Sequence, residues 1–200
     1  MHPLVAADSA PPVLASLLAT DWAGAFQPVA TEPDAARFER LPAANSASGA
    51  GWRVATLRTS PPPNSVKLFA LLGSPVAKGD LALVRVVARA TRVTHETAEA
   101  SVAITVQNHG GVFTRPAEGR FAVGAAWREL HLPVCFPRDC PAGTIEFALG
   151  FGYLEQTVEI RDVSVTHYGK SVTLAELPHT RMTYAGRAAD APWRAEAEAR

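Results

Sequence analysis

The sequence predicts an all-β protein of the sandwich class, on three observations. After about Gly51, apolar and polar residues alternate with period two through most of the chain. β-Branched residues crowd those same segments, and clusters of turn-forming residues interrupt them at short intervals. The 16 prolines and 14 glycines among 200 residues supply that punctuation and leave little room for long helices. A chain of this length is enough for one large core.

The elements follow in order. Residues 1–30 read as a short helical or irregular N-terminal arm, with helical spacing between Pro12 and Trp22 that leaves strand, helix and floppy arm open for Met1–Trp22; Asp8 and the Pro11–Pro12 pair break any signal-like apolar run. Residues 31–172 read as the sandwich. "WRVATLR" is a strand ended by the turn cluster "TSPPPNS", and "VKLFALL" is the next strand. The turn "KGD" opens the long strand "LALVRVVARAT"; "ASVAITVQN" runs into "HGG"; "GRFAVG" precedes "WRELHLPV". "GTIEFALGFG" leads into the last strand, "QTVEIRDVSVTHYG". Residues 173–200 read as a connector, in which Asp190 is an N-cap and Pro192 sits in the first turn of a short helix, with Trp193 packing the tail.

Alternation assigns side chains to faces. Ala82, Val84, Val86 and Ala88 share one face; Leu81, Leu83, Arg85, Val87 and Arg89 share the other. Val102, Ile104 and Val106 are expected in the core, with Thr105, Gln107 and His109 opposite. Ile145, Phe147 and Leu149 are expected in the core, with Glu146 and Ala148 opposite. The polar faces are either ordinary solvated surface or, if these strands are neighbours in a curved sheet, a polar ligand groove.

Charge narrows the function classes. Nineteen basic residues balance nineteen acidic ones without a basic run, which argues against a nucleic-acid or membrane partner. The apolar segments are too short to span a bilayer as helices. Six scattered histidines show neither HxH nor HExxH spacing, and two cysteines make no zinc site. Cys135 and Cys140, in "CFPRDC", are compatible with a small disulfide loop or with two thiols. An enzyme reading lacks a constellation: there is no G-x-S-x-G elbow, and nothing marks two of Glu146, Glu155 and Glu159 as a catalytic carboxylate pair.

Three stretches, "RFERLPAANSASGAGWRV", "PVAKGDLALVRVVARA" and "QTVEIRDVSVTHYG", resemble the jelly-roll carbohydrate-binding modules attached to glycoside hydrolases. The closing "ELPHTRMTYAGRAADAPWRAEAEAR" resembles the connector into the catalytic barrel of family 10 glycoside hydrolases, mostly xylanases. The resemblance covers Phe38 to Arg200 and implies a β-sandwich of jelly-roll type. It also implies a secreted, periplasmic or cell-surface location and a covalently linked catalytic domain beyond this chain. The implied function is non-catalytic binding of a polysaccharide, xylan first. A spacer without sugar affinity and a small free-standing hydrolase are the alternatives.

Sugar rings stack on aromatic rings and their hydroxyl edges need hydrogen-bond partners. Tyr153, beside glycines in "GFGYLEQ", and Trp52 are therefore the candidate platforms, although Trp52 and Trp127, each near a strand start, also read as core. Arg85, Gln107 and Glu146 are the candidate polar contacts, with Gln156 at the groove rim; an Arg85–Glu146 surface ion pair is the plainer alternative. The resemblance further implies a structural calcium held by Glu39 of "FER" and Asp162 of "IRDV", with backbone carbonyls completing an oxygen set. The sequence departs from the family in placing Arg40-Leu41-Pro42, rather than an early glycine, after that Phe-Glu.

Overall fold

The structure, a computed structural model, describes residues 13–42, 50–59, 63–110 and 114–185. Among these, the elements in chain order are β1 (Ala15–Ser16), α1 (Trp22–Ala25), β2 (Gln27–Ala30), β3 (Ala36–Leu41), β4 (Gly51–Thr56) and β5 (Val66–Leu71). They continue with β6 (Leu81–Val93), β7 (Ala100–Asn108), β8 (Ala117–Val123), β9 (Arg128–Cys135), β10 (Ile145–Gly150), β11 (Gln156–Gly169) and β12 (Tyr184–Ala185). Two antiparallel six-stranded sheets result. The first runs β3-β4-β11-β6-β9 with β1 also on β11; the second runs β12-β8-β7-β10-β5-β2. This is the expected all-β sandwich of jelly-roll type.

The faces follow the alternation. Ala82, Val84, Val86 and Ala88 of the first sheet meet Val102, Ile104, Val106, Ile145, Phe147 and Leu149 of the second in one continuous core. The opposite face of β6 is only partly polar. Leu81 and Leu83 are covered by Val172 and Leu177, because the chain after β11 folds back over the outside of the first sheet. That segment then bonds β9, Thr180 N–H donating to the His131 carbonyl at 3.0 Å, and reaches the second sheet as β12 beside β8. Residues 173–185 of the expected connector are thus packed on the sandwich. The proposed helix at Asp190 and the packing of Trp193 lie outside the described residues.

Of the readings open for the N-terminal arm, its described part takes the strand one. Leu14 N–H bonds the His167 carbonyl at 2.9 Å and Leu17 N–H bonds the Val165 carbonyl at 2.8 Å. The reason is an open edge: β4 pairs β11 only over Gln156–Ile160, and β1 fills the same edge at Thr166 and His167. Leu17 and Leu18 are buried there. Among the described residues of this segment, helix is confined to the single turn α1, capped by Asp21 Oδ1, which accepts from Gly24 N–H at 3.1 Å. Trp22 meets Phe26 edge-on, and Phe26 meets Phe147 likewise, so Leu17, Leu18, Trp22, Ala23 and Phe26 of this segment join the core.

Candidate functional site

The outward face of the second sheet is built from the alternate residues of β8, β7, β10 and β5. Register places Glu118, Thr105, Ala148, Phe69 and Gln27 in one row across the strands. Arg120, Ala103, Gly150, Lys67 and Val29 form the next row. Small residues therefore occupy the centre, with longer ones on either side. Thr105 (4% exposed), Glu146 (4%) and Ala148 (6%) are buried even though they point away from the core. A cleft lined by Asn64, Lys67, Thr105, Gln107, Glu146 and Gly150 lies over this floor.

Glu146 organises the groove. Its Oε1 accepts from Lys67 Nζ at 2.6 Å and from Gln107 Nε2 at 3.1 Å. Its Oε2 lies 3.1 Å from His109 Nδ1; because a carboxylate only accepts, that nitrogen carries the proton. With the Gln107 amide nitrogen committed to Glu146, Gln107 Oε1 is a buried acceptor with no partner among the described residues. The His109 ring stacks on Phe69 at 6.0 Å, and Lys67 Nζ sits 4.8 Å from the centre of the same ring. Burial pushes the Glu146 carboxyl up, but the bonds from Lys67 and His109 together outweigh it and hold the group below the usual carboxylate range.

Gln107 and Glu146, expected together, are adjacent. Arg85 is not with them. It points outward as predicted, but β6 belongs to the first sheet, so Arg85 lies on the far side of the sandwich, between Asp162 and Glu129, with an ion pair to each. The alternative Arg85–Glu146 ion pair fails for the same reason. Trp52 is turned inward, 6% exposed, with its Nε1–H donating to the Ala23 carbonyl at 2.9 Å, so it is core and offers no platform. Gln156 is also buried rather than at a rim. Its Oε1 accepts from Ser101 N–H at 2.7 Å, and its Nε2 donates to the carbonyls of Ser101 at 2.8 Å and Phe151 at 2.9 Å, tying the two sheets together. Tyr153 does reach the outward face of the second sheet, where the Arg120 guanidinium lies 4.9 Å from its ring centre. Trp127 is half-buried on the outside of the first sheet rather than core, between the guanidiniums of Arg89 (4.6 Å) and Arg161 (4.7 Å).

Glu39 and Asp162 do not form a calcium cradle. Glu39 is bonded to Arg53 at 2.7 Å, Asp162 is bonded to Arg85, and β4 lies between β3 and β11. Each carboxylate already faces a guanidinium, which leaves no shared set of oxygens for a hard cation. Arg53 also bonds the buried Glu159, whose other oxygen is held by Arg89 at 2.7 Å. Burial pushes Glu159 up, and the bonds from Arg53 and then Arg89 bring it below its ordinary value. Cys135 and Cys140 are both thiols, and burial raises that of Cys135.

Glu146 and Glu159 set an acid limit. A carboxyl depressed in the folded state contributes stability that is full above its unfolded pKa and is lost as pH falls through the folded value. The urea midpoint is therefore expected to hold from pH 7 to about 5 and to fall steadily below about 4.3, the ordinary glutamate value. Glu159→Gln should flatten that fall; an identical acid profile in the variant would contradict the assignment.

Lys67, Phe69 and Arg120 went unrecognised in the sequence, whereas Thr105 was already placed on the polar face beside Gln107. The alternation in "VKLFALL" already sets Lys67 and Phe69 on one face. What places them in the groove is the pairing of β5 with β10, a contact between segments some eighty residues apart.

No family model matches the chain, and no curated protein matches it in sequence. Solved structures do share its fold. The CBM22-1 xylan-binding domain of Xyn10C from Paenibacillus barcinonensis is 12% identical with a TM-score of 0.53, over 81% of this chain and 98% of that one. A CBM4 structure is 10% identical with a TM-score of 0.54, over 71% and 86%. The CBM22-1–GH10 modules of Xyn10B from Clostridium thermocellum, complexed with xylohexaose, are 15% identical with a TM-score of 0.51, over 76% of this chain and 28% of that one. In fold, the protein resembles the jelly-roll carbohydrate-binding modules of family 10 xylanases.

Proposed function

We propose that the protein is a non-catalytic carbohydrate-binding module. On this reading it holds a plant cell-wall β-glycan, xylan first, along the outward face of its second sheet, outside the cytoplasm and on behalf of a linked glycoside hydrolase. The observation that carries the reading is the groove around Glu146. The Phe69 ring offers an apolar surface, Lys67 a donor, and Gln107 Oε1 a buried acceptor without a partner. An apolar face beside fixed donors and acceptors is what a sugar ring with hydroxyl edges requires. The floor follows β7, whose outward residues Ala103, Thr105 and Gln107 span about 14 Å at roughly 3.4 Å per residue, long enough for more than one sugar unit in line. Two of the structural neighbours are described with xylan or xylohexaose, which favours xylan among the β-glycans.

The spacer alternative rests on one observation: Glu146 and Lys67 neutralise each other, and Phe69 already carries His109 on its ring. The hydrolase alternative weakens, because the two buried glutamates, Glu146 and Glu159, lie on opposite outer faces of the sandwich and cannot flank one sugar.

Affinity electrophoresis against soluble xylans, mixed-linkage glucan, glucomannan and hydroxyethyl cellulose tests the reading. Retardation by xylan is expected, and Gln107→Ala should weaken it about tenfold, the equivalent of roughly 1.4 kcal/mol for one well-placed hydrogen bond. Folded protein that no glycan retards would leave the spacer reading in its place.

A further inference from the structure

A second cleft, of about 290 Å³, opens on the same outward face beyond Ala103. It is lined by Thr97, Glu99, Ser101, Arg120, Tyr153 and Thr183. It is offset from the groove in two directions. The groove residues come from β5, β7 and β10, whereas this cleft is bounded by β7, β8 and the residues beside β12, about one strand spacing, roughly 5 Å, to the side. Along β7 it lies at Ser101, four residues or about 14 Å before Thr105 of the groove.

Three features of the cleft point to a ligand. Ser101 Oγ is buried there without a hydrogen-bond partner among the described residues, a state that buried hydroxyls rarely keep. Tyr153 contributes an aromatic ring whose orientation is set by the Arg120 guanidinium. Arg120 and Glu99 bring one charge of each sign, and Thr97, Ser101 and Thr183 bring hydroxyls, so the lining mixes donors and acceptors without favouring an anion or a cation. A volume at the lower end of the range for small-ligand sites, roughly 300 Å³, suits a single monosaccharide better than a chain.

We infer that this cleft receives a neutral monosaccharide branch of the polysaccharide whose main chain occupies the groove, an inference that rests on the groove reading above. The branch leaves the main chain at the Ala103 end of the groove, between β7 and β8, stacks on Tyr153, and places hydroxyls on Ser101 Oγ, Arg120 and Glu99. The module is then selective for a substituted chain.

Isothermal titration with three oligosaccharides of equal main-chain length tests it: linear xylohexaose, one carrying a single internal arabinose branch, and one carrying a single internal glucuronate branch. The arabinose-branched ligand is expected to bind at least tenfold more tightly than the linear one. The ratio of those two affinities should fall towards one in Ser101→Ala and in Glu99→Gln. Equal affinity for linear and arabinose-branched ligands in the parent protein overturns the inference while leaving the groove reading intact. Tighter binding of the glucuronate-branched ligand overturns the neutral assignment. Binding of none of the three overturns the groove reading, and the inference with it.

Discussion

Glu146→Ala is expected to weaken xylo-oligosaccharide binding by more than tenfold and to lower the unfolding free energy by about 3 kcal/mol. The carboxylate is nearly inaccessible, and Lys67, Gln107 and His109 converge on it from two neighbouring strands. Removing it strands a largely covered ammonium and releases the amide whose orientation leaves the Gln107 acceptor unpaired. Breaking a buried pair from one side typically costs about 3–5 kcal/mol, and Lys67, which retains some access to water, places this case at the lower end. Glu146→Gln preserves the shape but offers a single carbonyl to three donors, so an intermediate loss is expected in both quantities. Titration calorimetry and urea unfolding read them separately. A folded Glu146→Ala protein with unchanged affinity would show that the groove does not hold the ligand.

Gln156→Ala should be the most destabilising of the polar substitutions, at roughly 3–5 kcal/mol. The side chain makes three hydrogen bonds to backbone groups of Ser101 and Phe151, one accepted and two donated, from a position that is 2% exposed. Each backbone group left dry and unpaired costs about 1–3 kcal/mol, and the void adds to that. Gln156→Glu separates the polar contribution from packing. It keeps the volume and the bond from Ser101 N–H, but a carboxylate repels the two carbonyls that the amide served. Protonation restores one donor, so the folded-state pKa of that glutamate is raised, and its stability deficit should shrink as pH is lowered from 7 to 5. A urea midpoint for Gln156→Ala within error of the parent would refute the role of this residue as a tie between sheets.

Strand positions and faces were legible in the sequence because both are local. A strand exposes alternate residues whatever it pairs with, so the inward set Val102, Ile104 and Val106 and the outward Gln107 and Glu146 were readable without a partner. The N-terminal segment stayed open between strand, helix and irregular arm for the converse reason. The spacing of its apolar residues suits a helix, but the free edge of β11 beyond β4 offers its backbone better partners than its own carbonyls, and that edge is invisible in the segment itself.

By itself, then, the sequence determined a sandwich of short amphipathic strands and which side of each strand is polar, because period-two patterning acts over neighbouring residues. Only the tertiary structure decided which polar sides share a surface. Arg85 and Glu146 carry the same local signal, but β6 pairs with β9 and β11 while β10 pairs with β5 and β7, and two sheets packed face to face turn their outer surfaces in opposite directions. The same non-local contacts buried Trp52 and Gln156 by supplying the Ala23, Ser101 and Phe151 backbone groups that satisfy their polar atoms. They also assembled Lys67, Phe69, Gln107 and Glu146 into one groove from three strands that meet only in the folded chain.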